Sequence, residues 1–224
     1  MTLALDEVSF VRRGRVMLGG VSAEIAAGRL TCVVGPNAAG KTTLLRILSG
    51  ELRATSGRYL VDGVDAGRLS RRDIGREVSI IPQDVQPPPY LTVSEMVALG
   101  RFRPHRAAWR RPDKEDLALV RSSLARCRAE AIAGRPVEGL SGGEQKRAWL
   151  AFGLARGTRF LLLDETLDGL DAPAKRAFFE LLRAVAAEGR GIVLTSHDLH
   201  LVGGHADTVL VLGGGHLDLP HVPR

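Results

Sequence analysis

Much that would direct a reading elsewhere is scarce in this sequence. There are 2 cysteines, Cys32 and Cys127, far apart and in no Cys-x-x-Cys pair. That excludes a zinc ribbon and a disulfide scaffold, and it fits a reducing compartment. Cys32 lies in the apolar run Leu30–Val34, where a buried structural thiol is expected. Aromatic residues make up only 4%, so a core must be built from Leu, Val, Ile and Ala. No apolar stretch is long enough to span a bilayer, and the N-terminus carries no signal-peptide core. The chain is therefore expected to be soluble alone, and any work at a membrane needs another protein to hold it there. Nor is there a long basic run. The net charge of +6 comes largely from Arg in scattered pairs such as Arg12-Arg13, Arg71-Arg72 and Arg110-Arg111. Such pairs read as a solvated surface, and no nucleic-acid partner is expected. No internal repeat occurs, and the only compositional oddity is Pro87-Pro88-Pro89.

What is present suits a globular α/β protein. The 224 residues, 45% apolar and 25% charged, can bury one large core or two small ones. Alternation and apolar runs predict strands over 3–11, 21–25, 30–34, 59–61 and 78–81, with a helix over 41–48 stopping at Gly50. The middle changes character. Helices are expected over 92–99, through most of 113–133, and from Ser141 to about Ala155. Strand and helix then alternate again: strands 160–163, 192–195 and 209–212, and a helix over 172–187. Alternation at both ends implies a mostly parallel sheet with a helical insertion.

Chemistry is concentrated at three places. Gly35-Pro36-Asn37-Ala38-Ala39-Gly40-Lys41-Thr42 fits G-x-x-x-x-G-K-[ST] and sits between a strand and a helix. In that arrangement backbone N–H groups wrap phosphates at a helix N-terminus, where the field favours negative charge. Lys41 reaches the outer phosphates, the Thr42 hydroxyl ligates Mg2+, and Thr43 follows on the helix. The apolar run Phe160–Leu163 ends in Asp164-Glu165. Two acids closing such a strand suit a magnesium-side carboxylate, Asp164, and a group polarising the attacking water, Glu165. The third place is Leu140-Ser141-Gly142-Gly143-Glu144-Gln145. Ser141 and Glu144 form a capping box, which accounts for those two residues without a ligand. It does not account for Gly142 and Gly143, which leave the helix start bare for a phosphate.

With that third segment the sequence resembles the ATP-binding-cassette (ABC) ATPases, whose signature is LSGGQ or a near variant. The resemblance spans about Leu5 to Leu217. It implies a P-loop NTPase core with a mostly parallel sheet, an antiparallel β subdomain and an inserted helical subdomain. Residues 1–224 are then one ABC ATPase domain, with the helical subdomain over about 87–155. Gln83 in Ile80-Ile81-Pro82-Gln83 matches the glutamine that links Mg2+ to a membrane partner. Gly169-Leu170-Asp171 matches the family's D-loop, and His197 in Thr195-Ser196-His197-Asp198 matches its switch histidine. The resemblance implies ATP and Mg2+ as ligands, with Glu165, His197 and Lys41 catalytic and Thr42, Gln83 and Asp164 on the metal. It further implies a head-to-tail dimer with a second copy of the cassette. There Ser141, Gly142, Gly143 and Glu144 of one protomer face the γ-phosphate held by the other.

Three positions depart from the family pattern. Ala38 stands where a glycine is usual, and its Cβ is tolerable only if φ is negative or mildly strained. The loop N–H survives, so weaker nucleotide binding is the most that is expected. Thr166-Leu167 replaces the usual Pro-Thr, and Arg12 takes the place of the aromatic that stacks on adenine. A guanidinium plane can also stack there.

The segment Thr92–Arg101, continued by Phe102-Arg103-Pro104-His105-Arg106, looks like the ATPases of ferric-siderophore importers and their haem and cobalamin relatives. Arg135-Pro136-Val137 and Lys146-Arg147-Ala148-Trp149 point the same way. That resemblance implies transmembrane permease subunits as partners, a substrate-binding protein indirectly, and a cytoplasmic place against the inner face of the membrane. Two alternatives share the ATP-site motifs: a soluble cassette of translation or DNA repair, and an efflux or haem-export subunit. The first usually brings a second cassette, a coiled coil or a zinc module. The chain is expected to lack a regulatory C-terminal domain.

Overall fold

A computed structural model of the chain describes residues 1–86, 88–101, 113–202 and 204–221. Pro87, the 102–106 segment and the Arg110-Arg111 pair lie outside the described residues.

The chain divides into two compact units, one of 1–83, 158–166 and 182–224, the other of 84–157 and 167–181. The first holds two sheets. In the smaller, β1 (Thr2–Arg12) pairs with β2 (Arg15–Ala26) and with β4 (Ser56–Val61), and β5 (Val64–Asp65) adds to β4, all antiparallel. Arg13 and Gly14 link β1 to β2 with φ of 51° and 75°. Positive φ at both turn residues matches the right-handed twist of a tight hairpin.

The larger sheet runs β10-β9-β3-β8-β7-β6. Its members are β3 (Leu30–Val34), β6 (Val78–Ile81), β7 (Phe160–Leu163), β8 (Gly191–Ser196), β9 (Thr208–Gly213) and β10 (His216–His221). Every pairing is parallel except that of β10 with β9. β3, β7 and β8 are buried along their whole length, as continuous apolar runs in a parallel sheet should be. α1 (Lys41–Leu48) follows β3 and buries Leu44, Leu45, Ile47 and Leu48 in the core it shares with Val33, Phe160 and Val193. The interleaved order brings the ends of β3, β8, β7 and β6 side by side although they are far apart in sequence.

The second unit is helical. α3 (Val93–Leu99), α4 (Lys114–Arg126) and α5 (Gly142–Ala155) pack on one another. α6 (Ala172–Ala187) begins in this unit and ends in the first.

Several expectations change. The helix-rich stretch 113–133 resolves into α4, which stops at Arg126 ahead of the left-handed φ of 51° at Arg128, and a 3-10 turn, Glu130–Ile132. β2 begins at Arg15 rather than Val21, since the hairpin pairs its polar start with the end of β1. α2 (Arg71–Glu77) was not expected at all. It is opened by a Ser70–Asp73 capping box within a stretch too short and polar to show a helical apolar period. β10 and the short α7 (Leu199–Val202) are likewise additions. No helix among the described residues is long and apolar enough to cross a membrane.

Candidate nucleotide site

The loop from Gly35 to Gly40 is shaped by what surrounds it. A side chain at Gly35 would run into the Leu212 carbonyl of β9. At Gly40, where φ is 105°, a Cβ would lie 2.6 Å from the Met17 carbonyl of β2. These two glycines are thus required by packing from β9 and β2. Gly40 is also the N-cap of α1 and provides no side-chain capping bond. The helix therefore opens with unsatisfied N–H groups, which is a site for an anion. Ala38 has φ 64°, in the left-handed region, so the mildly strained alternative holds, at ~1 kcal/mol.

A cleft of about 330 Å3 opens over this loop, running from Asn37 through Thr43 and taking in Met17, Gln83 and Glu165. Lys41 is buried against it. Its ammonium donates to the carbonyls of Gly35 (2.8 Å) and Pro36 (3.1 Å) and pairs with Glu165 Oε1 at 3.1 Å. Gln83, two residues beyond β6, donates its amide N–H to Glu165 Oε2 at 2.8 Å. Glu165 is thus gripped from two sides, and its backbone takes a left-handed φ of 44°.

Asp164 is 2% exposed and lies at the end of β7, where its N–H donates to the Ile81 carbonyl of β6. Its Oδ1 accepts a 2.7 Å hydrogen bond from Thr195 Oγ1, and that hydroxyl accepts one of 2.8 Å from the Glu165 N–H. The Gly35 N–H reaches the Ser196 carbonyl, tying the start of the phosphate loop to the end of β8. His197 comes next in the chain and is exposed. Arg12 ends β1 at the exposed hairpin opposite Arg15 and is not part of the cleft wall. Met17 is, and no motif had marked it.

Among the described residues no group of three or more His, Cys, Asp or Glu could hold a metal ion. A cation beside the loop would rest on other oxygens: the Thr42 hydroxyl and the Gln83 amide oxygen left over when its NH2 bonds Glu165, both in the cleft lining, with Asp164 buried at the end of β7 outside that lining. An all-oxygen set of this kind fits Mg2+.

In the helical unit, Ser141 and Glu144 form the expected capping box. The Ser141 N–H and hydroxyl donate to Glu144 Oε2 at 2.8 and 2.9 Å. The bond from the Ser141 N–H, then that from its hydroxyl, and finally Arg135 hold the Glu144 carboxyl below the usual range. Arg135 was read from sequence only as part of a subfamily pattern. It clamps the turn by donating to Glu144 Oε1 at 2.6 Å and to the Gly139 carbonyl at 3.0 Å. Nothing among the described residues lies within 4 Å of a Cβ placed on Gly142, and only Leu170 Cδ2, at 3.9 Å, approaches one on Gly143. Packing among the described residues therefore requires neither glycine.

The ABC transporter family model matches residues 18–168. The iron(3+)-hydroxamate import ATP-binding protein FhuC of Bacillus subtilis is 34% identical over 200 residues, 89% of this chain and 74% of that protein. The hemin import ATP-binding protein HmuV of Rhodococcus jostii is 33% identical over 217 residues, 96% of this chain and 73% of its own length. A solved ATP-binding cassette of an ABC transporter, in its ADP conformation, matches with a TM-score of 0.90 at 22% identity. The match covers 99% of this chain and 91% of that one.

Proposed function

This chain belongs to the ABC transporter family, and on that premise we propose that it is the ATP-hydrolysing motor subunit of an importer for iron-siderophore or a related metal chelate. The observation that carries the hydrolytic part is the cleft in which Lys41, Gln83 and Glu165 meet at the carboxyl ends of parallel strands. Ligands of open parallel sheets bind at that edge. The import part is supported by the relatives, an iron(3+)-hydroxamate and a hemin import ATP-binding protein.

The phosphates of ATP rest on the N–H groups of Asn37 to Thr43, with Lys41 turning its ammonium from the loop carbonyls to the outer phosphates. Thr42, Gln83 and Asp164 would hold Mg2+, which would supply positive charge against that developing on the phosphate oxygens. Glu165 orients the attacking water and accepts its proton as the water oxygen bonds the γ-phosphorus and the bond from that phosphorus to the β–γ bridging oxygen breaks, releasing ADP and phosphate. His197 stabilises the γ-phosphate, and Arg12, at the exposed end of β1 outside the wall of the phosphate cleft, is assigned to stack on the base. Gly142 and Gly143 serve a second copy of the chain: their bare helix start faces its γ-phosphate, with Ser141 and Glu144 holding the turn. The helical subdomain expected over about 87–155 docks a transmembrane permease on the inner face of the membrane, and a substrate-binding protein acts through that permease.

The test uses Glu165→Gln. The variant is expected to bind ATP, hydrolyse none measurably, and accumulate as an ATP-bound dimer by light scattering. Normal turnover would remove Glu165 from its role. Used as tagged bait in native cells with ATP and Mg2+, it should recover a polytopic permease. Recovery of ribosomal or repair proteins, without a membrane protein, would overturn transport and leave the ATPase.

A further inference from the structure

Thr195 is the one hydroxyl on β8 whose bonds reach both acids at the end of β7. Its neighbours Ile192, Val193 and Leu194 are apolar, and every residue of the strand is buried. A threonine 0% exposed in that setting is costly unless its hydroxyl is paired. Here the pairing is specific. The O–H donates to Asp164 Oδ1 at 2.7 Å, and its oxygen accepts the Glu165 N–H at 2.8 Å. One oxygen atom therefore fixes the rotation of the carboxylate at position 164. It also anchors the backbone at Glu165, where φ is 44° and an untethered peptide would relax towards ordinary values.

The geometry points to Thr195 as a positioning residue for nucleotide hydrolysis. It orients Asp164 towards the magnesium shell and sets the strained turn that presents Glu165 to water, without itself touching substrate or metal. The inference rests on the reading of Asp164 as the magnesium-side carboxylate. The direction of the bond matters, because a hydroxyl donating to Oδ1 leaves the lone pairs of Oδ2 available to accept from a cation's water shell. Groups that orient metal-binding carboxylates usually contribute about 10- to 100-fold to metal affinity or activity. β7 and β8 are parallel neighbours, with Leu163 beside Leu194, so the contact is set by sheet register and not by a mobile loop.

The test compares the wild type with Thr195→Val, Thr195→Ser and Asp164→Asn. Mn2+ affinity is measured in the ADP complex by electron paramagnetic resonance, where no hydrolysis intervenes. Metal-free ADP affinity, kcat and KM for ATP, and the melting temperature are measured alongside. Thr195→Val is expected to weaken Mn2+ binding about tenfold and to lower kcat about 10- to 100-fold. Metal-free ADP affinity and KM should stay within about threefold, since the phosphate loop is untouched. Thr195→Ser keeps the hydroxyl and loses only a methyl group, so it should recover most of both losses whatever happens to Thr195→Val stability. If Thr195→Val matches the wild type in Mn2+ affinity while Asp164→Asn weakens it, the positioning role is wrong and the metal reading stands. If Thr195→Ser is as impaired as Thr195→Val, the methyl packing is what matters, and the inference is again overturned. If Asp164→Asn leaves Mn2+ affinity unchanged, the metal reading falls and takes the inference with it.

Discussion

Lys41 has three N–H bonds to give and three acceptors around it: Gly35 O, Pro36 O and Glu165 Oε1. A nucleotide phosphate must draw the ammonium away from at least one of them. Removing Lys41 takes away a charge-assisted bond worth ~1.5–3 kcal/mol, so Lys41→Ala should weaken ATP binding by about 10- to 100-fold. Titration with a fluorescent nucleotide measures this, and an unchanged affinity would remove Lys41 from the site. Ala38 is the opposite kind of residue, one whose backbone conformation resists its side chain. With φ at 64°, Ala38→Gly relieves left-handed strain and should raise stability by up to ~1 kcal/mol in urea denaturation, part of the gain being offset by chain entropy. Nucleotide affinity should not fall, because the loop N–H is kept.

At the scale of elements, capping boxes recur. Ser70–Asp73 opens α2, Thr92–Glu95 opens α3 and Ser141–Glu144 opens α5. In Asp73 the side-chain bond from Ser70 is the largest cause holding the carboxyl below its ordinary value, and in Glu95 and Glu144 it is the backbone bond from the capping residue. A carboxylate whose folded pKa is depressed adds stability that is complete above its unfolded value. The contribution is lost as pH falls through the folded value. These helix starts should therefore loosen only below about pH 4, the ordinary carboxylate range. Amide exchange at α2, α3 and α5 compared at neutral and acid pH checks the sign: loosening on going up in pH would refute it. Ser141→Ala removes the cap of α5 and should cost ~1 kcal/mol of stability, read from a denaturation curve.

For the whole molecule, each compact unit carries its own reporter. Cys32 in β3 belongs to the first unit and Cys127, following α4, to the second, and both are 0% exposed. Burial first, and then the Asp207 carboxylate, push the Cys32 thiol far above the ordinary range. Neither thiol should react with an aromatic disulfide reagent in the native protein, and each should do so when its unit opens. Labelling followed by peptide mapping over a urea series gives one midpoint if the units unfold together and two if they do not. Rapid labelling of either cysteine in buffer would contradict the burial.

Local signals in the sequence determined a good part of this protein. The phosphate loop, the acids closing β7 and the capping box at Ser141 are short contiguous patterns, and so are the buried runs of β3, β7 and β8. Each could be read because its physics is satisfied within a few residues. α2 escaped that reading, since its capping box stood without the apolar period that marks a helix. What tertiary structure alone decided is which distant residues meet. Strand order brings Gln83 to Glu165 across 82 positions and Thr195 to Asp164 across 31. It sets Met17 against the phosphate loop, and it places carbonyls from β9 and β2 where Gly35 and Gly40 admit no side chain. Arg135 reaching Glu144 depends likewise on a fold of the chain between them. Parallel pairing between strands separated by long stretches of chain leaves no periodic trace in the sequence, so the motifs name the participants and the sheet register arranges them.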